Sequence, residues 1–195
     1  MGGYIMAKKI LILTGDCAED YEVKVPQQAL MMLGYEVDIA APNKKAGDTL
    51  QLVVHDFVNL DTYIELTGHR IPVDIATLDV NPDEYVGLLI PGGRAPEYIR
   101  MYDEVIKIVQ EFFKADKPIA AVCHGTQLLA AAEVLSGRTV TSYPACSAEC
   151  RIAGANWKNE AVVTCGKLVT AQAWPNHPLW LRAFVDLLGA KITID

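Results

Sequence analysis

The sequence predicts an α/β fold of the flavodoxin-like kind, a doubly wound and mostly parallel sheet with helices on both faces and a nucleophile elbow. Three observations predict it. Short apolar runs recur at residues 10–13, 86–90 and 118–122. Stretches of helical spacing lie between them, and short Gly-bearing turns connect the two kinds of segment. Strands that hand over to helices in this way form parallel sheets covered on both sides, and the ligand crevice of such sheets lies at the carboxyl ends of the strands.

In chain order, residues 10–13 form the first strand, 19–33 a helix, and 37–40 a strand after Gly34. Pro26 falls inside that helix and is expected to kink it or to mark its effective first turn. Residues 42–72, rich in Lys, Asp, Gly, Thr and His, show no sustained period and read as a long surface excursion with one small strand pair, of the length that often serves as a lid or interface. Residues 103–115 return to helical spacing. The strand at 118–122 feeds a Leu- and Ala-rich helix over 126–135. Beyond Gly137 come an extended stretch at 139–142, a helix at 146–153, a hairpin between Val162 and Ala171 with Gly166-Lys167 at its turn, and a last helix over 178–188. Residues 1–6 are expected to be a frayed leader and 7–195 one domain, with no internal repeat.

Composition narrows the function. A chain of 195 residues, 51% hydrophobic and 21% charged, can bury about 70% of its unfolded surface without metal or disulfide staples. Seventeen Lys and Arg against 24 Asp and Glu, with no dense basic run, argue against nucleic acid as a partner. No apolar stretch approaches the length of a membrane span, and Met6 defeats the myristoylation pattern. Five irregularly spaced cysteines argue against a disulfide framework and for a reducing, cytoplasmic setting.

Cys123 is the most informative residue. A strand ending in a small-residue turn that starts a helix holds its side chain out over the sheet, and the helix N-terminus should ease ionisation of the thiol. The alternative is a small buried hydrophobe. Pro91-Gly92-Gly93, after the neighbouring strand, offers backbone N–H groups for an oxyanion hole, or is an ordinary tight turn. Glu19 follows the first strand close to the expected elbow, where like charge and burial would suppress its ionisation. Asp20 and Glu22 read as acids that complement the dipole of the first helix. His124 is a candidate general base if a carboxylate orients it, and Glu97 is a candidate for that carboxylate or a solvated helix-capping group.

Other groups read as structural. His55, His69 and His177 lack metal-ligand spacing, and Cys146 with Cys150 supplies only two ligands, so no metal is expected. Trp157, Trp174 and Trp180 read as packing groups. No phosphate-binding glycine fingerprint follows the first strand, so no cofactor is expected.

Taken together, Gly92-Gly93-Arg94-Ala95-Pro96-Glu97, Ala120-Ala121-Val122-Cys123-His124-Gly125 and Thr141-Ser142-Tyr143-Pro144 resemble the PfpI family. That family sits in the superfamily of the parkinsonism-associated deglycase and the glutathione-independent glyoxalase III enzymes. The segment from Lys44 through His55 to His69 is similar to the plant-type glyoxalase III branch, in which the unit occurs as a tandem pair. The resemblance implies Cys123 as nucleophile, Glu19 as its carboxyl partner, His124 as the adjacent imidazole, and the amides of Gly93 and His124 as the oxyanion pocket. It also implies that Glu97 reaches the site of a neighbouring subunit in a dimer, trimer or hexamer. Tyr143 stands where the shorter deglycases carry a histidine. The implied chemistry converts methylglyoxal to lactate, or releases early glycation adducts, with no cofactor. The rivals are an intracellular cysteine peptidase, a class I glutamine amidotransferase whose late His-x-Glu element is missing at His177-Pro178-Leu179, and a redox-sensing or chaperone-like stress protein in which Cys123 is oxidised.

Overall fold

The computed structural model describes residues 8–191. The expected leader at 1–6 lies outside the described residues. The elements run β1 (Lys9–Leu13), α1 (Asp20–Met32), β2 (Glu36–Ala41), β3 (Thr49–Asp56), β4 (Ile64–Pro72), β5 (Ile75–Ala76), β6 (Tyr85–Ile90), α2 (Ala95–Ile99), α3 (Asp103–Lys114), β7 (Ile119–Val122), α4 (Thr126–Ala131), β8 (Thr139–Val140), α5 (Ser147–Ile152), β9 (Asn156–Trp157), β10 (Val162–Cys165), β11 (Leu168–Ala171) and α6 (His177–Leu187).

Seven strands form the central sheet in the order β10-β11-β7-β6-β1-β2-β5. All neighbours pair in parallel except β10 and β11, which form the antiparallel edge hairpin. The inner strands read as unbroken apolar runs because both faces are covered. On β1, Ile10 and Ile12 face one core, with Val23 and Leu30 of α1 and Trp180, Phe184 and Val185 of α6. Leu11 and Leu13 face the other, with Val105, Val109 and Phe112 of α3 and Leu128 and Leu129 of α4. The period of two along each strand divides one hydrophobic run between two layers.

Three local expectations change. α1 begins six residues before Pro26 and runs through it, so the proline does not mark the first turn. Burial of Val23 and Leu30 on either side of Pro26 ties both halves of the helix to the sheet. The helix after the elbow stops at Ala131 rather than 135, because Glu133 takes a left-handed φ of 60°. The strand at 139–142 closes after Val140, since the Thr141 N–H donates to the Thr170 hydroxyl at 2.9 Å instead of to a strand.

The excursion at 42–72 is more ordered than its sequence suggests. β3 and β4, eight and nine residues long, pair antiparallel as a hairpin outside the main sheet. Alternation on β3 buries Leu50 and Leu52 against the α1 side of the core. The Val53 N–H donates to the Ala18 carbonyl at 2.9 Å, which fixes the hairpin beside the start of α1. Among the described residues no helix is long and apolar enough to cross a membrane.

Phe184 is fully buried, and its ring lies 3.0 Å from the point a Cβ on Gly87 would occupy. Phe184→Ala is expected to lower stability by about 3 to 5 kcal/mol in urea unfolding. Leu78→Ala, at an exposed side chain, should change it by less than about 0.5 kcal/mol.

Candidate active site at the elbow

Cys123 follows β7 directly and has a φ of 59°, a left-handed conformation that a non-glycine residue adopts at a cost of about 1 kcal/mol or more. Val122 before it is extended, and a one-turn 3₁₀ segment, Cys123–Gly125, leads into α4. The sharp reversal requires close backbone approach on two sides. A Cβ on Gly125 would lie 2.5 Å from the Ile90 carbonyl, and one on Gly92 would lie 2.6 Å from the Cys123 Cβ. Glycine at both positions lets the ends of β6 and β7 meet around the sulfur.

Cys123 is buried. Three kinds of group face it. The His124 imidazole places Nδ1 3.2 Å from Sγ. The backbone N–H groups of His124 and Gly93 point at the sulfur and favour its anion. The third group is the carboxyl of Glu22, within hydrogen-bonding reach of the thiol and held by the Gly92 N–H, which donates to Oε2 at 2.7 Å.

The acid beside the thiol is therefore Glu22, and the roles expected of Glu19 and Glu22 exchange. Glu19 is the N-cap of α1: its Oε2 accepts the Glu22 N–H at 2.9 Å, so its side chain folds back over the first turn. Glu22, three residues on, sits where an acid would ordinarily reach back to the cap, but the Gly92 amide draws it to the elbow. Its complete burial separates it from an exposed dipole-complementing acid. Asp20 ties the hairpin down instead, accepting hydrogen bonds from the backbone and ring of His69.

Gly92 and Gly93 also differ in role. The Gly92 N–H is committed to Glu22, so it is not free to meet an oxyanion. Gly93, at a φ of 75°, turns its amide to the sulfur, and a Cβ there would collide with the Glu19 nitrogen. Glu97 is exposed on α2 and forms no hydrogen bond with His124 within the chain. The carboxylate whose charge reaches His124 is Glu149, held by Arg100 and Gln127 at 2.8 Å each.

Burial governs the proton inventory. It pushes Glu22 up to about 8, with the neighbouring Glu19 carboxyl adding to the effect, and pushes Glu19 up to about 7. It pushes His124 down to about 4, so the imidazole is neutral near pH 7. It also raises the Cys123 thiol, and the Glu22 charge raises it further. The expected easing of ionisation by the helix end is thus outweighed by desolvation. Thiol and carboxyl form a buried pair that resists carrying two negative charges at once.

The hairpin contributes groups that pattern reading missed. The ring centroid of Tyr63 lies 5.8 Å from those of His124 and Tyr143, edge-on to both, and His124 stacks on Tyr143 at 4.9 Å. His55 stacks behind Tyr63 at 4.2 Å and bonds Glu65 at 3.0 Å. Arg94, directly after the glycine pair, grips both Glu65 oxygens at 2.7 Å. Aromatic and charged residues in a segment without periodicity carry no sequence signal of where they dock. Among the described residues, no group of three or more His, Cys, Asp or Glu could hold a metal ion.

The Glu22 shift has a stability consequence with a definite sign. The folded state keeps this proton up to about pH 8, whereas the unfolded chain releases it near 4.5, so stability falls as pH rises between those values. Glu22→Gln, which carries no such proton, should match the parent within about 1 kcal/mol at pH 4.5 and exceed it by roughly 2 to 4 kcal/mol at pH 9. Urea titrations at the two pH values check this.

Comparison with known proteins shows the family of the chain. Residues 8–187 match the DJ-1/PfpI family. The chain is 44% identical over 199 residues to protein DJ-1 homolog D of Arabidopsis thaliana, spanning 99% of this chain but about half, 51%, of that protein. It is 35% identical to deglycase PfpI of Pyrococcus furiosus, covering 92% of this chain and 99% of the relative. A two-domain protein of Anabaena variabilis, with DJ-1/ThiJ/PfpI-like and ferritin-like domains, superposes with a TM-score of 0.81 at 28% identity, over 93% of this chain and 48% of that one. Drosophila melanogaster DJ-1beta superposes with a TM-score of 0.78 at 22% identity, over 95% and 92% of the two chains, a likeness of fold. From Lys8, immediately before β1, to Leu187 at the end of α6, the chain belongs to the DJ-1/PfpI family.

Proposed function

We propose that the protein is a cofactor-free, cysteine-dependent enzyme acting on reactive dicarbonyls, converting methylglyoxal to lactate, or on their early glycation adducts. The observation that carries this reading is the buried contact of one thiol with a protonated carboxyl and a neutral imidazole, beside two backbone donors. Family membership and the 35% identity to a protein named deglycase support it.

The chemistry follows from the proton inventory. The Cys123 sulfur adds to the aldehyde carbon as its proton passes to His124 Nδ1, which avoids a free thiolate in a dry pocket. The resulting oxyanion of the hemithioacetal meets the amides of Gly93 and His124 and takes up a proton. A proton then leaves the former aldehyde carbon and another arrives at the former ketone carbon, so the first carbon is oxidised as the second is reduced. Glu22 and His124 serve as donor and acceptor in this exchange. Water cleaves the thioester, releasing lactate and restoring the thiol. No electrons enter from outside. The same thiol attacking an early adduct on an amine or thiol would release that group instead.

Glu97 is exposed on α2, where a neighbouring copy could meet it. Self-association with Glu97 reaching the site of another subunit is part of this proposal. A reducing, cytoplasmic setting suits an enzyme that depends on a free thiol.

The test follows lactate from methylglyoxal without glutathione, in parallel with a fluorogenic peptide. Lactate formation is expected, with loss of at least 1,000-fold in Cys123→Ala, at least about 100-fold in kcat for Glu22→Gln, and under about 10-fold for the helix-cap change Glu19→Gln. Peptide cleavage without lactate, or full turnover in Cys123→Ala, would overturn the reading. Glu97→Gln should weaken turnover or assembly; if sedimentation and rate are both unchanged, the cross-subunit role is wrong.

A further inference from the structure

We propose that Tyr63 is a specificity-determining residue of the Cys123 site: carried in by the hairpin, its ring admits slim carbonyl compounds to the sulfur and turns away bulky planar ones. The proposal rests on Cys123 being the reacting atom, as above, and goes beyond it in defining which substrates reach it.

An elbow normally presents its nucleophile to solvent, yet Cys123 is 6% exposed. Part of its cover is local, from His124 and Tyr143, which stack on each other at 4.9 Å. A segment some sixty residues earlier packs over these two rings. The Tyr63 ring meets both of those rings edge-on, with centroids 5.8 Å apart in each case. Edge-on rings at this centroid separation are already in contact, so Tyr63 closes against both of them. Access to the sulfur from this side therefore runs around the Tyr63 ring, where a two- or three-carbon dicarbonyl meets less obstruction than a broad planar group.

Tyr63 is also braced, so the spacing is a fixed property of the fold. His55, itself 5% exposed, stacks on its back at 4.2 Å. The His55 Nε2 is bonded to Glu65 at 3.0 Å, and Glu65 is gripped through both oxygens by Arg94. Arg94 in turn donates its backbone N–H to the Cys17 carbonyl at 2.8 Å, beside the start of α1. A chain of short polar contacts thus runs from the glycine turn of the site to the back of the ring. The Tyr63 hydroxyl, pushed up to about 12 by burial and by the neighbouring Cys123 and Tyr143 groups, stays protonated. The obstruction is neutral, and selection by it is by shape.

Alkylation of Cys123 reads the gate without requiring turnover. The protein is treated with iodoacetamide or with a bulky fluorescein maleimide, and modification of the Cys123 peptide is followed by mass spectrometry. The ratio of the two rates is the measure. Tyr63→Ala is expected to lower the preference for the small reagent at least fivefold, and Tyr63→Phe, which keeps the ring, to stay within twofold of the parent. Tyr63→Leu makes the same comparison if the alanine variant does not fold. A parallel fivefold shift toward phenylglyoxal over methylglyoxal in kcat/KM is expected. A change in alkylation ratio below fivefold on removing the ring, or an equal change in Tyr63→Phe, overturns the proposal. Alkylation selectivity without lactate formation would leave the gate standing and reject the proposed reaction; lactate formation without ring-dependent selectivity would do the reverse.

Discussion

The site depends on one strained residue held between two glycines. Cys123 keeps its left-handed φ because the backbones of the β6 and β7 ends approach too closely at Gly92 and Gly125 to allow side chains there. The same approach leaves the Gly92 amide facing α1, where it meets the Glu22 carboxyl. One steric constraint thus sets the position of the sulfur, the position of its acid and the direction of the Gly93 and His124 amides. Strain of this kind persists only where the surrounding packing over-determines it, and the apolar strands beneath supply that packing.

Desolvation then decides the protonation states. A solvated glutamic acid, histidine and cysteine would present a carboxylate, a partly charged imidazole and a thiol near neutral pH. Inside the elbow the carboxyl keeps its proton and the imidazole is neutral. This reverses the arrangement of a cysteine paired with a cationic histidine. The sulfur faces an acid able to give a proton and a base able to take one, with the backbone amides supplying the stabilisation that a positive charge supplies elsewhere.

The hairpin β3–β4 belongs to the site as much as to the surface. Its inner face is an ordinary amphipathic strand packed on the core, but its outer end carries Tyr63, His55 and Glu65 to the elbow. The Arg94–Glu65 pair has short, twofold contacts, the geometry in which a partly exposed ion pair holds position most effectively. It links the glycine turn after β6 to the segment that carries Tyr63.

Much of this was legible in the residues. Apolar runs ending in Gly-Gly or Cys-His-Gly determine a parallel sheet and an elbow, because period and turn chemistry are local properties of the chain. Cys123, His124 and the glycines could be singled out for the same reason. The choice between Glu19 and Glu22 was not local. Both stand in the first turn of one helix, and only the Gly92 amide, seventy residues away, draws one to the sulfur while the other caps the helix. The docking of Tyr63 on His124 was equally hidden, since it arises from hairpin packing and an Arg94–Glu65 contact that leave no periodic trace. Local patterning determined the scaffold and the elbow cysteine; contacts between distant segments, settled by burial and hydrogen-bond satisfaction in three dimensions, decided which acid lies beside it and which ring packs over its neighbours.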